Sequence, residues 1–382
     1  MASELTDLTA VETVAMLRSE AVSPLELLDA VERRVAEVDP LVNALPTLCF
    51  ERARAHARGI MARPAAERGI LAGLPLPIKD LVEVEGVRTT HGSPIYKDNI
   101  PRKSDILVEN IEAEGGVVFA KSAVPEFGAG GNTFNEVFGA TLNPWDLSRS
   151  ASGSSGGSAV ALATGMAWVA HGNDMGGSLR NPASFCGVVG IRPSPGRVAR
   201  NPGTMVDSLL GAEGPMARNI ADAALLLDAM SGENPIDPLS LPRLPNSFLD
   251  AAQSPRRPRR VAFSADLGIT PVDPTVAALC RAAAEKLADA GVEVVETHPD
   301  LKEAHEVFQI LRAYQYAASH GHKLRDFPHL LKPEMVWNVE KGQRLTAAGI
   351  IDAQEKRAAI IARTVAFFDD FDLLLTPATI VA

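Results

Sequence analysis

Little in this sequence points to an exported, membrane-spanning or nucleic-acid-binding protein. Its 382 residues include three cysteines, Cys49, Cys186 and Cys280. An odd, low count builds no disulfide framework and no paired zinc motif, so a reducing cytoplasm is the expected compartment. No apolar run reaches the roughly 18 residues that a membrane span needs. The first residues carry Glu4, Asp7 and Glu12 among their apolar positions, unlike the cationic start of a signal peptide. Positive charge is short too: 37 Lys and Arg face 47 Asp and Glu, a formal charge of −10. The run Arg256, Arg257, Arg259, Arg260 is broken by Pro258, and no basic face for nucleic acid emerges. The eight histidines stand in no metal-ligand spacing with Cys or Asp. No metal and no cofactor is expected.

What remains is an ordinary globular composition, 46% hydrophobic and 22% charged, long enough for about two domains. Ser23-Pro24-Leu25-Glu26 reads as a capped helix start, with Leu27, Leu28, Val31, Val35 and Val38 at helical spacing and Asp39-Pro40 as its end. A strand is expected within Gly69–Asp80, a helix over Asp105–Glu114 and a strand over Val117–Ala120. Ala159–Val169 is apolar and helix-capable. Residues 231–258, dense in Pro and polar side chains, read as a connection. Beyond it come a strand at Arg260–Phe263, a helix at Ala277–Ala290 and a strand at Val292–Val295. Helices follow over 302–321 and 346–368, and a last strand over Phe371–Leu375. Strands and helices alternate, which predicts an α/β fold with a mixed or parallel core. The division expected is an N-terminal helical region (1–70), a core carrying the motifs (71–230), the connection (231–258) and a smaller α/β region (259–382).

A serine hydrolase needs a base, ordinarily histidine. His91 and His171 read as residues of Gly turns, and the other histidines as surface or helix positions. The alternative is Lys79, in Gly73-Leu74-Pro75-Leu76-Pro77-Ile78-Lys79-Asp80. Alone, a lysine beside an aspartate reads as a surface residue. In an apolar strand it must either snorkel out or lose its proton, and a neutral lysine is a usable general base. Two Gly-Ser turns follow it: Gly153-Ser154-Ser155-Gly156-Gly157-Ser158 and Asp174-Met175-Gly176-Gly177-Ser178. The first has the composition of a flexible linker, but its apolar flanks favour a tight loop near a site.

These segments, in this order, resemble the amidase signature family. So do Asn143-Pro144-Trp145-Asp146, Leu179-Arg180-Asn181-Pro182-Ala183, Cys186-Gly187-Val188-Val189-Gly190, Pro193-Ser194-Pro195-Gly196-Arg197-Val198 and Gly214-Pro215-Met216-Ala217-Arg218. The resemblance implies the amidase signature fold, a mixed central β-sheet covered by helices on both faces. It also implies a Ser–Ser–Lys triad: Ser178 as nucleophile, Ser154 after a cis peptide bond from Gly153 as bridge, and neutral Lys79 as base. The N–H groups of Met175, Gly176, Gly177 and Ser178 would form the oxyanion hole. Gly128 would line the acyl site and leave room there. Asp174 and Arg180 are expected to pair, buried, as a brace for the nucleophile turn. Cys186 is read as a core residue, not a second nucleophile.

This chain departs from the family pattern in three places. Ser152 stands where many members have glycine, and Met175 replaces a smaller or branched residue. Leu374-Leu375-Thr376-Pro377-Ala378 is followed by four residues, where family chains continue, so the closing strand and helix are expected to be absent. The activity expected is a metal-free amidohydrolase of linear or aryl amides, with carbamates (urethanes) and esters open to the same acyl-enzyme chemistry. The stretch 128–132 and Leu209–Leu210 suit a bulky apolar substrate. The partner expected is such a small molecule, with no nucleic acid and no membrane, and a homodimer stays open. Two rivals stand beside this: the amidase subunit of a tRNA-dependent amidotransferase complex, disfavoured by the acidic balance, and a non-enzymatic binding module of the same fold.

Overall fold

The computed structural model describes residues 5–203 and 208–381; Glu4, one of the acids in the N-terminal reading, lies outside them. The chain divides into two compact units. One holds the residues up to Ser254 together with Phe327–Met335, and the other holds Pro255–Asp326 and the residues from Val336 onward.

In the first unit the helices are α1 (Ala10–Arg18), α2 (Pro24–Val42), α3 (Phe50–Met61), α4 (Ile106–Ala113), α5 (Gly156–Ala163), α6 (Arg180–Cys186), α7 (Ile220–Met230) and α8 (Phe248–Gln253). Its strands are β1 (Thr47–Leu48), β2 (Pro75–Lys79), β3 (Val117–Ser122), β4 (Phe134–Asn135), β5 (Gly139–Ala140), β6 (Leu142–Asn143), β7 (Asp146–Ser150), β8 (Val169–Asp174), β9 (Val189–Gly190) and β10 (Ala212–Ala217). β1-β3-β2 form a mixed sheet, β1 antiparallel and β2 parallel to β3. β8-β10-β9 form an antiparallel one. β2 and β8 pack side by side without joining the two sheets by a ladder. The reason lies in the sequence of β2. Pro75 and Pro77 have no N–H to give, so the strand serves as a sheet edge, and its register with β3 shifts between Leu76 and Pro77. Both three-stranded sheets and the helices around them share one apolar core that includes Leu27, Leu28, Leu76, Ile78, Phe119, Val160 and Trp168.

Two boundaries differ from the sequence reading. The helix expected to end at Asp39-Pro40 runs to Val42. Pro40 falls in its last turn and removes only one bond. Asp39 closes the end: its carbonyl accepts the N–H of Asn43, and its carboxylate accepts those of Ala44 and Leu45 at 2.7 and 3.0 Å. The apolar stretch 159–169 is helical only to Ala163; residues 164–168 turn, and a strand begins at Val169. Gly165, at φ +73°, lets Met166 N–H reach Ala161 O at 2.8 Å and its own N–H reach Leu162 O at 3.2 Å, the paired bonds that stop a helix. The chain then turns into β8.

The second unit contains β11 (Arg260–Phe263), α9 (Pro274–Asp289), β12 (Glu293–Glu296), α10 (Ala304–Asp326), α12 (Ala347–Phe367) and β13 (Leu373–Leu375), with most of α11 (Pro333–Gln343). Its sheet, β12-β11-β13, is parallel. The strands and long helices fall where the hydrophobic periodicity put them. α11 was not foreseen; Gly342 allows it to lie against α10, since a Cβ there would come within 2.0 Å of Ala313 O.

Close approach also governs α5, which carries the Gly-Ser-Ser loop at its start. A Cβ on Gly157 would sit 2.2 Å from Ala123 N and 2.6 Å from Ala44 O, both backbone atoms. Gly157→Ala should therefore lower stability by about 1–3 kcal/mol or more, as overpacking does. Thermal melting of the purified variant checks this, and a melting temperature equal to that of the parent would refute the contact.

Candidate active site

Lys79 ends β2 with its side chain fully buried. Its Nζ lies 2.7 Å from Ser154 Oγ, 2.8 Å from Ser155 Oγ, 2.6 Å from Asn173 Oδ1 and 3.4 Å from Asn173 O. No carboxylate is within hydrogen-bond reach among these contacts. Burial drives its pKa down to about 7, against a smaller upward pull from Glu213 and Asp174. Asp80, the next residue, points to the opposite side of the strand. There it meets Lys121 at 3.5 Å and Thr90 Oγ1 at 2.5 Å.

Ser154 follows a cis peptide bond from Gly153 and is buried at the mouth of α5. Ser152, the residue preceding Gly153, has φ +59°, a conformation that favours glycine. Here it is held by its neighbours. Its carbonyl accepts Thr133 N–H and Thr133 Oγ1 at 3.1 and 2.8 Å, its N–H donates to Ser150 Oγ at 3.0 Å, and its hydroxyl donates to Gly131 O at 3.2 Å. Gly128, at φ +70°, faces Ser154: a Cβ there would lie 3.4 Å from Ser154 Oγ and 2.9 Å from Leu81 Cδ1.

The turn from β8 into α6 carries Ser178, partly exposed, with Gly176 open to solvent. Ser178 O accepts the N–H of Ser155 at 3.2 Å, which fastens the turn to the Gly-Ser-Ser loop. The Ser178 hydroxyl has no hydrogen-bond partner among the described residues, so the Ser154–Ser178 link is not made in this structure. The N–H of Gly177 is engaged by Asp174 Oδ1 at 2.8 Å. Those of Met175, Gly176 and Ser178 have no acceptor among the described residues.

Asp174 is the anchor of this turn. Besides Gly177 it accepts Leu179 N–H at 3.1 Å and a two-point contact from Arg180, both at 3.0 Å. Arg192 Nε stands 3.6 Å away. Burial pushes the carboxyl up, but Arg180 and the two amides hold it below the ordinary carboxylate range. The expectation of a fully buried pair needs correction: the Arg180 side chain is 51% exposed, because it opens α6 and reaches back from the surface.

Sequence reasoning missed several residues here. Ser155 and Asn173 hold the Lys79 amine; both adjoin motif residues, which was the available signal. His171 was read as part of a Gly turn but lies inside β8, fully buried, with Nε2 2.8 Å from Glu213 Oε2. Its pairing across to β10 could not be read from local sequence. Beside Gly128, Phe127 packs with Tyr96 and His91. Buried Glu126 accepts Ser93 Oγ and Lys332 N–H at 2.7 and 2.9 Å. Cys186 is buried, its thiol pushed up to about 12 by burial, as suits an inert core residue. Among the described residues, no group of three or more His, Cys, Asp or Glu could hold a metal ion.

A family model described as Amidase matches residues 26–382. The chain belongs to the amidase signature family. It is 33% identical over 379 residues to an acylamidase of Rhodococcus erythropolis, covering 97% of this chain and 78% of that one. A component of the glutamyl-tRNA(Gln) amidotransferase of Halothermothrix orenii is 33% identical, over 98% of this chain and 83% of its own length. The crystal structure of a bacterial aryl acylamidase of the amidase signature enzymes superposes with a TM-score of 0.89 at 27% identity, covering 97% of this chain and 79% of that one. The α/β amidase signature fold is thereby that of this chain, and the family's activity is amide hydrolysis.

The bracing of the turn yields a ranked expectation. Asp174→Ala strips two amides and two guanidinium groups of their shared acceptor and should cost about 3–5 kcal/mol. Arg180→Ala removes a half-exposed partner, with Arg192 still near, and should cost about 1 kcal/mol or less. Denaturant unfolding of the two variants checks the order; a larger loss in Arg180→Ala would overturn it.

Proposed function

We propose that this amidase signature enzyme cleaves amides through an acyl-enzyme on Ser178, with Ser154 as relay and Lys79 as base. The observation that carries the reading is the hydrogen bonding of the buried amine. Ser155 Oγ donates its own proton toward Asn173 O at 3.3 Å, so it accepts from Lys79, and Asn173 Oδ1 can only accept. Two N–H bonds use all the protons of a neutral amine. Its lone pair is left for the Ser154 hydroxyl 2.7 Å away.

The steps follow from that arrangement. Lys79 takes the Ser154 proton as Ser154 takes that of Ser178, and Ser178 Oγ attacks the amide carbonyl. The oxyanion that develops meets the N–H groups of Met175, Gly176 and Ser178. Gly177, whose amide is bonded to Asp174, acts by admitting the close turn. The tetrahedral intermediate expels the amine, which leaves with the proton returned through Ser154. Water then repeats the cycle on the acyl-enzyme. Gly128, with no side chain, leaves the acyl group its place over Ser154.

The acylamidase and aryl acylamidase relatives favour N-acyl amides, aryl amides included, as the substrate class, in a reducing cytoplasm that suits three free cysteines. Carbamates and esters fall to the same chemistry. A second reading, the amidase subunit of an amidotransferase complex, is favoured by the likeness to the Halothermothrix orenii protein. Gel filtration of the native protein separates the two: a stable heteromeric complex supports the second, and a homo-oligomer or monomer turning over simple aryl amides supports the first.

Ser178→Ala should lose several orders of magnitude in kcat and all labelling by a fluorophosphonate probe; label mapped to another residue would sink the assignment. The base must be unprotonated, so kcat/KM should rise with pH through about 7, where burial sets Lys79, and then level off. Lys79→Arg should stay inactive, because guanidinium keeps its proton throughout. An active Arg variant would show that the position supplies charge and not a base.

A further inference from the structure

His171 and Glu213 take no part in the relay, yet they stand directly behind the base. Because β2 forms no ladder with β8, the main-chain N–H of Lys79 meets a side chain: it donates to His171 Nδ1 at 3.4 Å. A nitrogen that accepts carries no proton, so the ring proton sits on Nε2. From there it donates to Glu213 Oε2 at 2.8 Å. The ring is neutral, in keeping with its burial, which lowers its proton affinity. His171 and Asn173, two residues apart on β8, share a face of the strand. Glu213 is the register partner of Asn173 on β10. One face of this sheet thus carries the amide that holds Nζ, the imidazole that holds the Lys79 main chain, and the carboxylate behind both. Ser158 Oγ donates to His171 O at 2.7 Å and fixes that point of β8 to α5.

We infer that His171 and Glu213 are positioning residues for the Lys79 base: the ring fixes the main chain that carries the amine, and the carboxylate keeps the amine basic enough to accept a proton. This deepens the amidohydrolase reading and rests on it. The remaining charges around Lys79 are largely met by others. Asp174, at the end of β8, is paired with Arg180 and Arg192. Asp80, the residue after β2, faces Lys121 of β3 at 3.5 Å. Asp105, at the start of α4, lies on the Glu213 side and is pushed up to about 6, chiefly by burial. The groups touching Nζ itself, Ser154, Ser155 and Asn173, are uncharged. Glu213 sets its charge against a neutral ring, and its side chain is only 13% exposed, so its field at Lys79 is weakly screened.

A nearby carboxylate stabilises the ammonium form, so removing its charge weakens the base and moves the ionisation to lower pH. The readout is the rate at which a fluorophosphonate probe inactivates the enzyme, followed against pH, since it reports the Ser178 attack without a known substrate. In Glu213→Gln the acid limb should move down by about half a pH unit or more, and the plateau rate should fall. Glu213→Asp keeps the charge while breaking the contact with His171, so its limb should stay near the wild-type position even if its melting temperature drops. A Gln variant with the limb unmoved, whatever its stability, would reduce the pair to a structural one and overturn the inference. An equal displacement in the Asp and Gln variants would also overturn it, since charge would not be the cause. A wild-type enzyme with no acid limb, or a Lys79→Arg variant that still reacts, would instead overturn the relay itself.

Discussion

A lysine amine kept out of water is the constraint around which this site is arranged. An exposed lysine holds its proton at neutral pH and can accept none. Burial removes the water that would solvate the charge, and what replaces it decides whether the proton is kept. Around Lys79 the replacements are two hydroxyls and a carboxamide, all uncharged. Each comes from a different part of the chain from the lysine itself. Ser154 and Ser155 lie on the loop entering α5 and Asn173 on β8, so the sheets, the cis-linked loop and the packing of α5 must all be in place before the amine has its surroundings.

A second buried lysine shows how far those surroundings matter. Lys121 lies on β3, beside β2, and is as deeply buried as Lys79. Burial lowers its proton affinity as well, but Asp80 stands 3.5 Å away and pulls the other way. Asp80 adjoins Lys79 in sequence yet serves Lys121 in space, because successive strand residues face opposite sides. The alternation that keeps this carboxylate away from the Lys79 amine delivers it to Lys121. The same rule puts Asn173 and His171 on one face of β8, toward Lys79, and leaves Asp174 to brace the turn that bears Ser178.

The prolines of β2 have a related consequence. A strand without N–H groups at 75 and 77 cannot pair on both edges, so the central sheet is made of separate ladders. The gap between β2 and β8 admits an imidazole where a carbonyl would otherwise sit. Proline in a strand usually marks an edge; here that edge lies inside the molecule, beside the buried Lys79.

Much of this was legible in the sequence because it is local. Helix starts such as Ser23-Pro24-Leu25-Glu26, the strands of the second unit and the glycine turns depend on residues within a few positions of one another. Lys79, Ser154 and Ser178, with Gly128, are named as candidates because their segments resemble those of the amidase signature family. Tertiary structure decided what those residues touch. Asn173 at the amine, His171 between two strands, Glu213 behind it, Arg192 beside Asp174 and Lys332 on Glu126 are contacts between segments far apart in the chain. Short-range patterns carry no information on such contacts. The proton affinity of Lys79 belongs to the same class: beside Asp80 the residue taken alone reads as a surface lysine, and it is burial in the assembled core that lowers its pKa.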